Sequence, residues 1–300
     1  MLRRSSWLHL RIPFSYFLLP VFLFALCVSP NFSEARIGWV FFIIHFLLYP
    51  ASNGYNSYFD KDEKSIGGLK NPPPVHHGLY SLSLAFDASA IVLGYLKINL
   101  TFAVMLLLYG LVSKAYSHPS IRIKKYAITG WIITGIFQGL FTFVMCYIGI
   151  NDFTIESAFR AEVLIPGFLT SIMLWANYPM TQVYQHEEDS KRGDRTFSLM
   201  LGIRGTFYFA AAVFALAMFG FVFYFWSFFE KEYAVIFLTV LSPVLLYFLY
   251  WFNLVRKDET HADYKNTMRL NFISSTCMNG FFLYLFLDSS QVIQAIQGGY

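Results

Sequence analysis

The chain has 300 residues and a formal net charge of +4, and it is 56% hydrophobic, 20% aromatic and only 13% charged. Soluble domains carry about 25% charged residues, so this composition excludes an ordinary soluble domain and predicts a large apolar surface that faces lipid. The small positive charge reflects the distribution of charges across a membrane and does not indicate nucleic-acid binding.

Segments long enough to cross a bilayer follow one another along the whole chain. A spanning helix needs about 17 to 25 apolar residues. The sequence predicts nine such segments, at 13–29, 38–58, 79–97, 98–115, 127–148, 161–180, 206–228, 232–252 and 270–288. No linker or low-complexity tract divides them, so we expect an all-α polytopic membrane protein with a single domain, residues 1–300.

The first segment has a basic head and an apolar run, as a secretory signal has. The run is long for a signal, and no A-x-A cleavage site follows it. We therefore expect an uncleaved first helix.

Lysine and arginine residues predict the orientation of the nine spans. With the N-terminus in the cytoplasm, 18 of these residues fall on the cytoplasmic side and four on the opposite side. We expect a multi-pass protein of an inner or plasma membrane, with its N-terminus and its acidic segments in the cytoplasm.

Charged residues near a bilayer are costly and often mark a functional site. The first cluster is NSYFDKDEK, residues 56–64, at the end of the second predicted span. Asn56, Asp60 and Lys64 are spaced by four residues and would share one helix face, and Glu63 lies three residues after Asp60.

Two further clusters belong to the same predicted side of the membrane. One follows the sixth span and contains Gln185, Glu188 and Asp189 in QHEED. The other is SKAYSHPSIRIKK, after the fourth span, and it is basic. Charges beside a membrane helix often only fix its topology, and for the basic cluster alone topology and function are equally good interpretations.

Two groups of carboxylates at one membrane face would repel each other unless a cation joined them. Mg²⁺ prefers oxygen ligands and commonly bridges carboxylates to substrate phosphates. Arginine and lysine would hold the remaining phosphate charge. The residues therefore predict a membrane-embedded site for an anionic group such as a diphosphate, with its apolar tail between aromatic-rich helices.

These clusters resemble the two acidic motifs of the UbiA-type intramembrane prenyltransferases, N-D-x-x-D-x-x-x-D after the second helix and D-x-x-x-D after the sixth. NSYFDKDEK and QHEED occupy these places, and YSHPSIRIKK resembles the family's tyrosine-to-lysine loop. The resemblance covers about residues 11–288. It implies a bundle of about nine helices around a central cavity, and transfer of an isoprenyl group from an allylic prenyl diphosphate to an aromatic or other lipophilic acceptor, assisted by Mg²⁺.

The two motifs depart from the family pattern at three carboxylates. Ser57 and Lys64 replace aspartates of the first motif, and Gln185 replaces the opening aspartate of the second. Asp62, Glu63 and Glu188 are candidates to supply the missing oxygens, and Lys64 is a candidate to contact the diphosphate directly.

The resemblance implies a role for each candidate residue. Asp60 and Asp189 are the expected catalytic residues. The expected metal ligands are Asn56, Asp60, Glu63, Gln185, Glu188 and Asp189. The expected diphosphate-binding residues are Asn56, Lys64, Arg122, Lys124, Lys125 and Arg195. The expected aromatic shields of the allyl cation are Tyr58, Tyr116, Tyr178 and Tyr184.

Two other functions compete with this interpretation. A family member that binds prenyl diphosphates but has lost catalysis would keep the same residues. A transporter would place charges at the bilayer midplane and show inverted halves, whereas here the acidic segments lie near one face. The acceptor and the length of the prenyl chain are left open by the sequence.

Overall fold

In the computed structural model, which describes residues 3–290, the chain is all-helical, with two isolated β-bridges and no strand in that range. Nine helices of the described range are long and apolar enough to cross a membrane. We label them α1 to α9; their bounds are Arg4–Cys27, Glu34–Asp60, Gly78–Lys97, Leu100–Ser117, Ala127–Asn151, Ala161–Thr181, Phe197–Phe228, Lys231–Lys257 and Tyr264–Ser289. The predicted all-α membrane fold is confirmed.

The helices form a closed bundle. Each helix packs against the next, and α9 packs against α1. Because successive helices run in opposite directions, the loops after α2, α4, α6 and α8 share one end of the bundle. The polar clusters of the sequence lie in the first three of these loops.

The outer surface of the bundle is apolar. Phe219, Leu246 and Leu96 are 71%, 67% and 65% exposed, respectively. In water such a surface would associate or aggregate, whereas in a bilayer it faces lipid tails. The protein is an integral, multi-pass membrane protein.

Two helices, α1 and α7, begin nine residues earlier than hydropathy predicts. α1 begins at Arg4, and Arg11 interrupts it with a left-handed backbone conformation (φ 49°) between an α-helical turn and a 3₁₀ segment. α7 begins at Phe197 and is interrupted at Gly202 (φ 70°, ψ 170°). Polar residues at both interruptions kept these first turns outside the apolar segments predicted from sequence.

A short helix, His186–Arg192, lies in the loop between α6 and α7. Before it, Pro179 tightens the end of α6 into a 3₁₀ turn, Tyr178–Thr181. After it, Gly193 adopts a positive φ of 74° and reverses the chain, as glycine commonly does at a helix C-terminus. This reversal brings Asp194 back beneath the short helix, where its backbone N–H donates to the carbonyl of Asp189 at 2.9 Å.

Candidate functional site

A cavity of about 280 Å³ opens at the end of the bundle that carries the loops after α2, α4 and α6. It is bounded by α1, α2, α4, α5, α6 and α9. Charged residues line its mouth, and its inner wall combines aromatic side chains, among them Tyr49, Tyr109 and Phe137, with aliphatic and uncharged polar ones. The charged lining residues are Arg11, Asp60, Asp62, Lys124, Asp189 and Arg192.

Asp60 is the last residue of α2 and is 9% exposed. Its Oδ2 accepts hydrogen bonds from the Asn56 amide, at 2.8 Å, and from the Lys124 ammonium. Its Oδ1 lies 3.5 Å from Arg122 Nη2. The four-residue spacing of Asn56 and Asp60 therefore places both polar groups on the cavity face of α2, as helical geometry requires.

Asp189 lies in the short helix after α6 and lines the same cavity as Asp60. Its Oδ1 accepts from Arg192 Nη2 at 2.8 Å, and its Oδ2 accepts from the Thr196 hydroxyl at 3.2 Å. Arg192 also pairs with Asp62 from the loop after α2. The two acidic segments are thus adjacent, although 129 positions separate Asp60 from Asp189.

Asp194 joins the basic loop after α4 to the loop after α6. Its two carboxylate oxygens accept from Arg122 Nε and Nη2 at 2.6 and 2.7 Å, and its side chain is 1% exposed. Lys124 Nζ and Arg192 Nε lie 3.9 and 3.6 Å from Asp194 Oδ2. A bidentate arginine–carboxylate pair is among the stronger polar contacts in proteins, so it fixes both loops at the cavity mouth.

Burial perturbs the titration of this cluster. Burial raises the pKa of Asp189, while the Arg192 guanidinium partly opposes that rise. Burial also raises the pKa of Glu188. The neighbouring Asp62 adds to this rise, and the Lys64 backbone N–H opposes it. Hydrogen bonds to Asp194 raise the pKa of Arg122, which keeps its positive charge. Burial therefore disfavours the charged form of both acids, whereas Arg122 is held charged by Asp194.

Several residues expected at the site lie outside the cavity lining. Lys64 is exposed and its ammonium pairs with Glu187, while the Lys125 ammonium lies 4.9 Å from the centre of the Tyr126 ring. Glu63 and Arg195 are exposed, and Tyr58 and Glu63 border a separate surface pocket with His76 and His77. For Glu63 and Lys64 the reason is that α2 ends at Asp60 and Lys61 adopts a left-handed conformation, so the helical spacing no longer applies beyond Asp60.

The remaining predicted residues lie at or beside the cavity. Gln185, Tyr116, Tyr178 and Tyr184 line it. The hydroxyls of Tyr116 and Tyr178 contact each other, and the Tyr184 ring packs edge-on against Tyr264. Glu188 lies behind the lining, where its Oε1 accepts from the Lys64 backbone N–H at 2.8 Å and its buried Oε2 has no hydrogen-bond donor among the described residues.

Sequence reasoning missed three residues of the site. Arg192 and Asp194 were not among the candidate residues, although Arg192 is three residues after Asp189 and this spacing could have indicated their contact. Arg11 was counted only for topology. Its guanidinium donates to the carbonyls of Gly67 and Asn53 at 3.1 and 3.3 Å and lines the cavity beside Asp60 and Asp62. An arginine two residues before the first predicted span was the available signal.

The oxygen-bearing side chains at the cavity mouth are candidate ligands for a divalent cation. Among residues 3–290, no three histidine, cysteine, aspartate or glutamate side chains converge closely enough to hold a metal ion. Asn56, Asp60 and Asp189 do share one cavity, and Glu188 offers a buried oxygen without a donor. This set fits Mg²⁺, which typically takes one or two carboxylates and completes its shell with substrate phosphates and water.

Comparison with solved structures shows the same fold. A UbiA homologue from Archaeoglobus fulgidus bound to GPP and Mg²⁺ matches with a TM-score of 0.65 and 17% identity, over 94% of this chain and 99% of that chain. The same homologue bound to DMAPP and Mg²⁺ gives the same values. A digeranylgeranylglyceryl phosphate synthase matches with a TM-score of 0.58 and 17% identity, over 95% of this chain and 97% of that chain.

A search of curated protein sequences found no match. The sequence profile of the UbiA prenyltransferase family matches residues 17–273. That range holds seven complete helices, α2 to α8, together with parts of α1 and α9, and every charged cavity residue except Arg11. The chain belongs to the UbiA prenyltransferase family.

Proposed function

We propose that this protein is a prenyltransferase that moves an isoprenyl group from an allylic prenyl diphosphate to an aromatic or other lipophilic acceptor, with Mg²⁺ bound at the cavity mouth. The whole chain would act as one domain, because residues from Arg11 to Asn271 line the cavity. The charge distribution supports a cytoplasmic mouth.

One observation carries this proposal. Asp60, at the end of α2, and Asp189, in the short helix after α6, both line the mouth of a cavity whose inner wall includes aromatic side chains. A charged mouth suits a diphosphate, and an apolar interior suits a prenyl chain. The structures of relatives with GPP or DMAPP and Mg²⁺ support the same assignment.

Asn56, Asp60 and Asp189 are the residues that would hold Mg²⁺. When bound, the ion supplies Lewis-acid stabilisation to the diphosphate oxygens. Gln185 and Glu188 Oε2, which accepts no hydrogen bond from the described residues, would complete the set as direct or water-mediated ligands. No further acidic ligand is needed if phosphate oxygens and water fill the remaining positions.

The basic residues would stabilise the charge that develops as the C1–O bond of the allylic diphosphate breaks. Lys124 lines the cavity, and Arg122 is fixed beside it by Asp194. Such preorganised cations cost little reorganisation when negative charge accumulates on the leaving diphosphate. Arg11 approaches the same region from α1 and is a further candidate for contact with the diphosphate.

The aromatic wall would protect the allyl cation. Tyr116 and Tyr178 lie on opposite helices of the cavity, and a cation over an aromatic face gains about 0.5 to 2 kcal/mol. The surrounding helices would also exclude water, which would otherwise capture the cation. The acceptor then attacks C1 and loses a proton as the new bond forms.

The direct test is transfer of a labelled prenyl group by purified protein in lipid nanodiscs, using a panel of prenyl diphosphates and acceptors with and without Mg²⁺. Asp60→Asn and Asp189→Asn should each lower turnover by about 100-fold or more, as loss of a main electrostatic contributor does. Glu232→Gln, an exposed position at the opposite end of the bundle, is the matched control and should retain wild-type turnover. Full turnover in either aspartate variant would remove that residue from the site.

A second candidate function is binding of prenyl diphosphates without transfer. Asp60 and Asp189 already contact basic side chains, and Ser57 and Gln185 stand where the family motif has aspartates. Tight, Mg²⁺-dependent binding of a prenyl diphosphate without turnover on any acceptor of the panel would favour this function.

A further inference from the structure

Arg192 lies at the centre of the acidic cluster. Its guanidinium contacts four carboxylates from two loops: Asp62, Asp189 at 2.8 Å, Asp194 at 3.6 Å and Glu188 at 3.8 Å. Their side chains are only 1% to 12% exposed, and Arg192 itself is 21% exposed and lines the cavity. One basic side chain therefore joins the same loops that a bridging metal ion would join.

The charges around Arg192 do not balance. Arg122 and Lys124 are matched by Asp60 and Asp194, which they contact directly. Asp62, Glu188 and Asp189 then share the single charge of Arg192. These contacts leave an excess of negative charge, which favours a bound cation. Arg11 lines the same cavity, but its guanidinium donates to the backbone carbonyls of Gly67 and Asn53. Lys64 adds no side-chain charge to these three acids. Its backbone N–H donates to Glu188, and its ammonium pairs with Glu187.

We propose that Arg192 is a built-in counter-ion that takes the place of one bound cation in the acidic cluster, so that the cluster accepts one divalent ion beside it. This inference rests on the proposed function, which places Mg²⁺ at the cavity mouth. Arg192 is a positioning residue in this account: it holds the loop after α2 against the short helix and limits how many ions the acids can take.

The test compares Arg192→Gln with wild type and with Lys191→Gln, in full-length protein purified with Mg²⁺ and then treated with a chelator. Lys191 is the neighbouring residue, is exposed, and pairs only with exposed Glu187, so it is a matched control. The two readouts are thermal unfolding and the binding of Mn²⁺, followed by its electron paramagnetic resonance signal.

Wild type and Lys191→Gln should each bind one Mn²⁺ per chain. Their unfolding temperatures should match each other, both in chelator and with Mn²⁺. Arg192→Gln should unfold several degrees lower in chelator and should recover on addition of Mn²⁺, because the ion replaces the lost charge. It should also bind Mn²⁺ about tenfold or more tightly, since a nearby positive charge has been removed. Arg192→Lys, which keeps the charge, should bind Mn²⁺ as wild type does.

Three results would overturn the inference: equal destabilisation of Arg192→Gln with and without Mn²⁺, which indicates a purely structural pair; unchanged Mn²⁺ affinity in that variant; or two Mn²⁺ ions per chain in wild type. None of these readouts requires turnover. A protein that shows the metal rescue but transfers no prenyl group would contradict the proposed function alone, and a protein with transfer but no rescue would contradict this inference alone.

Discussion

Asp60 and Lys124 form a buried ion pair at the cavity mouth, with side chains 4% and 8% exposed. Removing two charges from water is costly, and their attraction repays this only when both partners are present. A substrate diphosphate or a metal ion that enters the cavity must therefore be accommodated by both members of the pair. Substitutions of Asp60 and Lys124 therefore measure how strongly the two buried charges stabilise each other.

Lys124→Met should destabilise the protein by about 3 to 5 kcal/mol, because it leaves the Asp60 carboxylate buried without its main partner. Adding Asp60→Asn to that variant should restore part of the loss, since no unpaired buried charge remains. Thermal unfolding of the two single variants and the double variant measures the coupling.

The exposed pair of Glu187 and Lys191 provides the control for this cycle, because its side chains are 58% and 68% exposed. Its coupling should be much smaller, as solvent screens exposed charges. Equal coupling in the two cycles would show that burial does not strengthen the Asp60–Lys124 pair.

The sequence predicted the residues of the site that follow from helical spacing and missed those that follow from loop geometry. Asn56, Asp60, Gln185 and Asp189 could be placed because each pair is four residues apart. Lys64 and Glu63 were expected as ligands from the same helical spacing, but the α-helix ends at Asp60 and the structure places both outside the cavity lining; hydropathy carries no signal for that end. The contacts of Arg192 and Asp194 depend on the reversal at Gly193, which brings together loops distant in sequence.

At the scale of the elements, the irregular turns of the helices adjoin the site. Gly202 interrupts α7 one turn after Ser198, whose hydroxyl contacts His186 at 2.7 Å and Thr206 at 2.9 Å. The backbone N–H of Ser198 also donates to Gln182, at 3.1 Å. The interruption thus lets the first turn of α7 hold both ends of the loop that carries Asp189. Nine spans were predictable from hydropathy, but this early turn was not, because Thr196 and Arg204 flank it with polar side chains.

Gly202→Ala should lower stability by about 1 to 3 kcal/mol, because φ 70° with ψ 170° is a conformation that essentially only glycine adopts. No atom lies within 4 Å of the added Cβ, so the cost is one of backbone conformation and not of packing. Thermal unfolding measures the change.

Gly280→Ala is the matched control for this substitution. Gly280 lies in the regular helix α9, and its added Cβ also meets no atom within 4 Å. Alanine is the better helix former, so this variant should be as stable as wild type or slightly more stable. If Gly202→Ala behaved in the same way, the interruption of α7 would carry no conformational cost.

At the scale of the whole molecule, the alternating helices place the acidic and basic loops at one end and the loop 152–160 at the other. With the predicted orientation, Ser190 faces the cytoplasm and Thr154 faces the opposite side. Both positions are exposed. In a chain whose three cysteines are replaced by alanine, a membrane-impermeant maleimide applied to intact cells should label Thr154→Cys. It should label Ser190→Cys only after the membrane is opened. The reverse pattern would invert the proposed topology.

The central claim is that Asp60 and Asp189 hold a divalent cation and a diphosphate in one cavity. The most direct measurement is a structure of the protein with Mn²⁺ and a non-hydrolysable prenyl thiodiphosphate, in which the anomalous signal locates the ion. We expect the Mn²⁺ peak within about 2.0 to 2.4 Å of carboxylate oxygens from both Asp60 and Asp189, with diphosphate oxygens on the same ion. A peak bound by neither aspartate, or a diphosphate bound outside this cavity, would contradict the account.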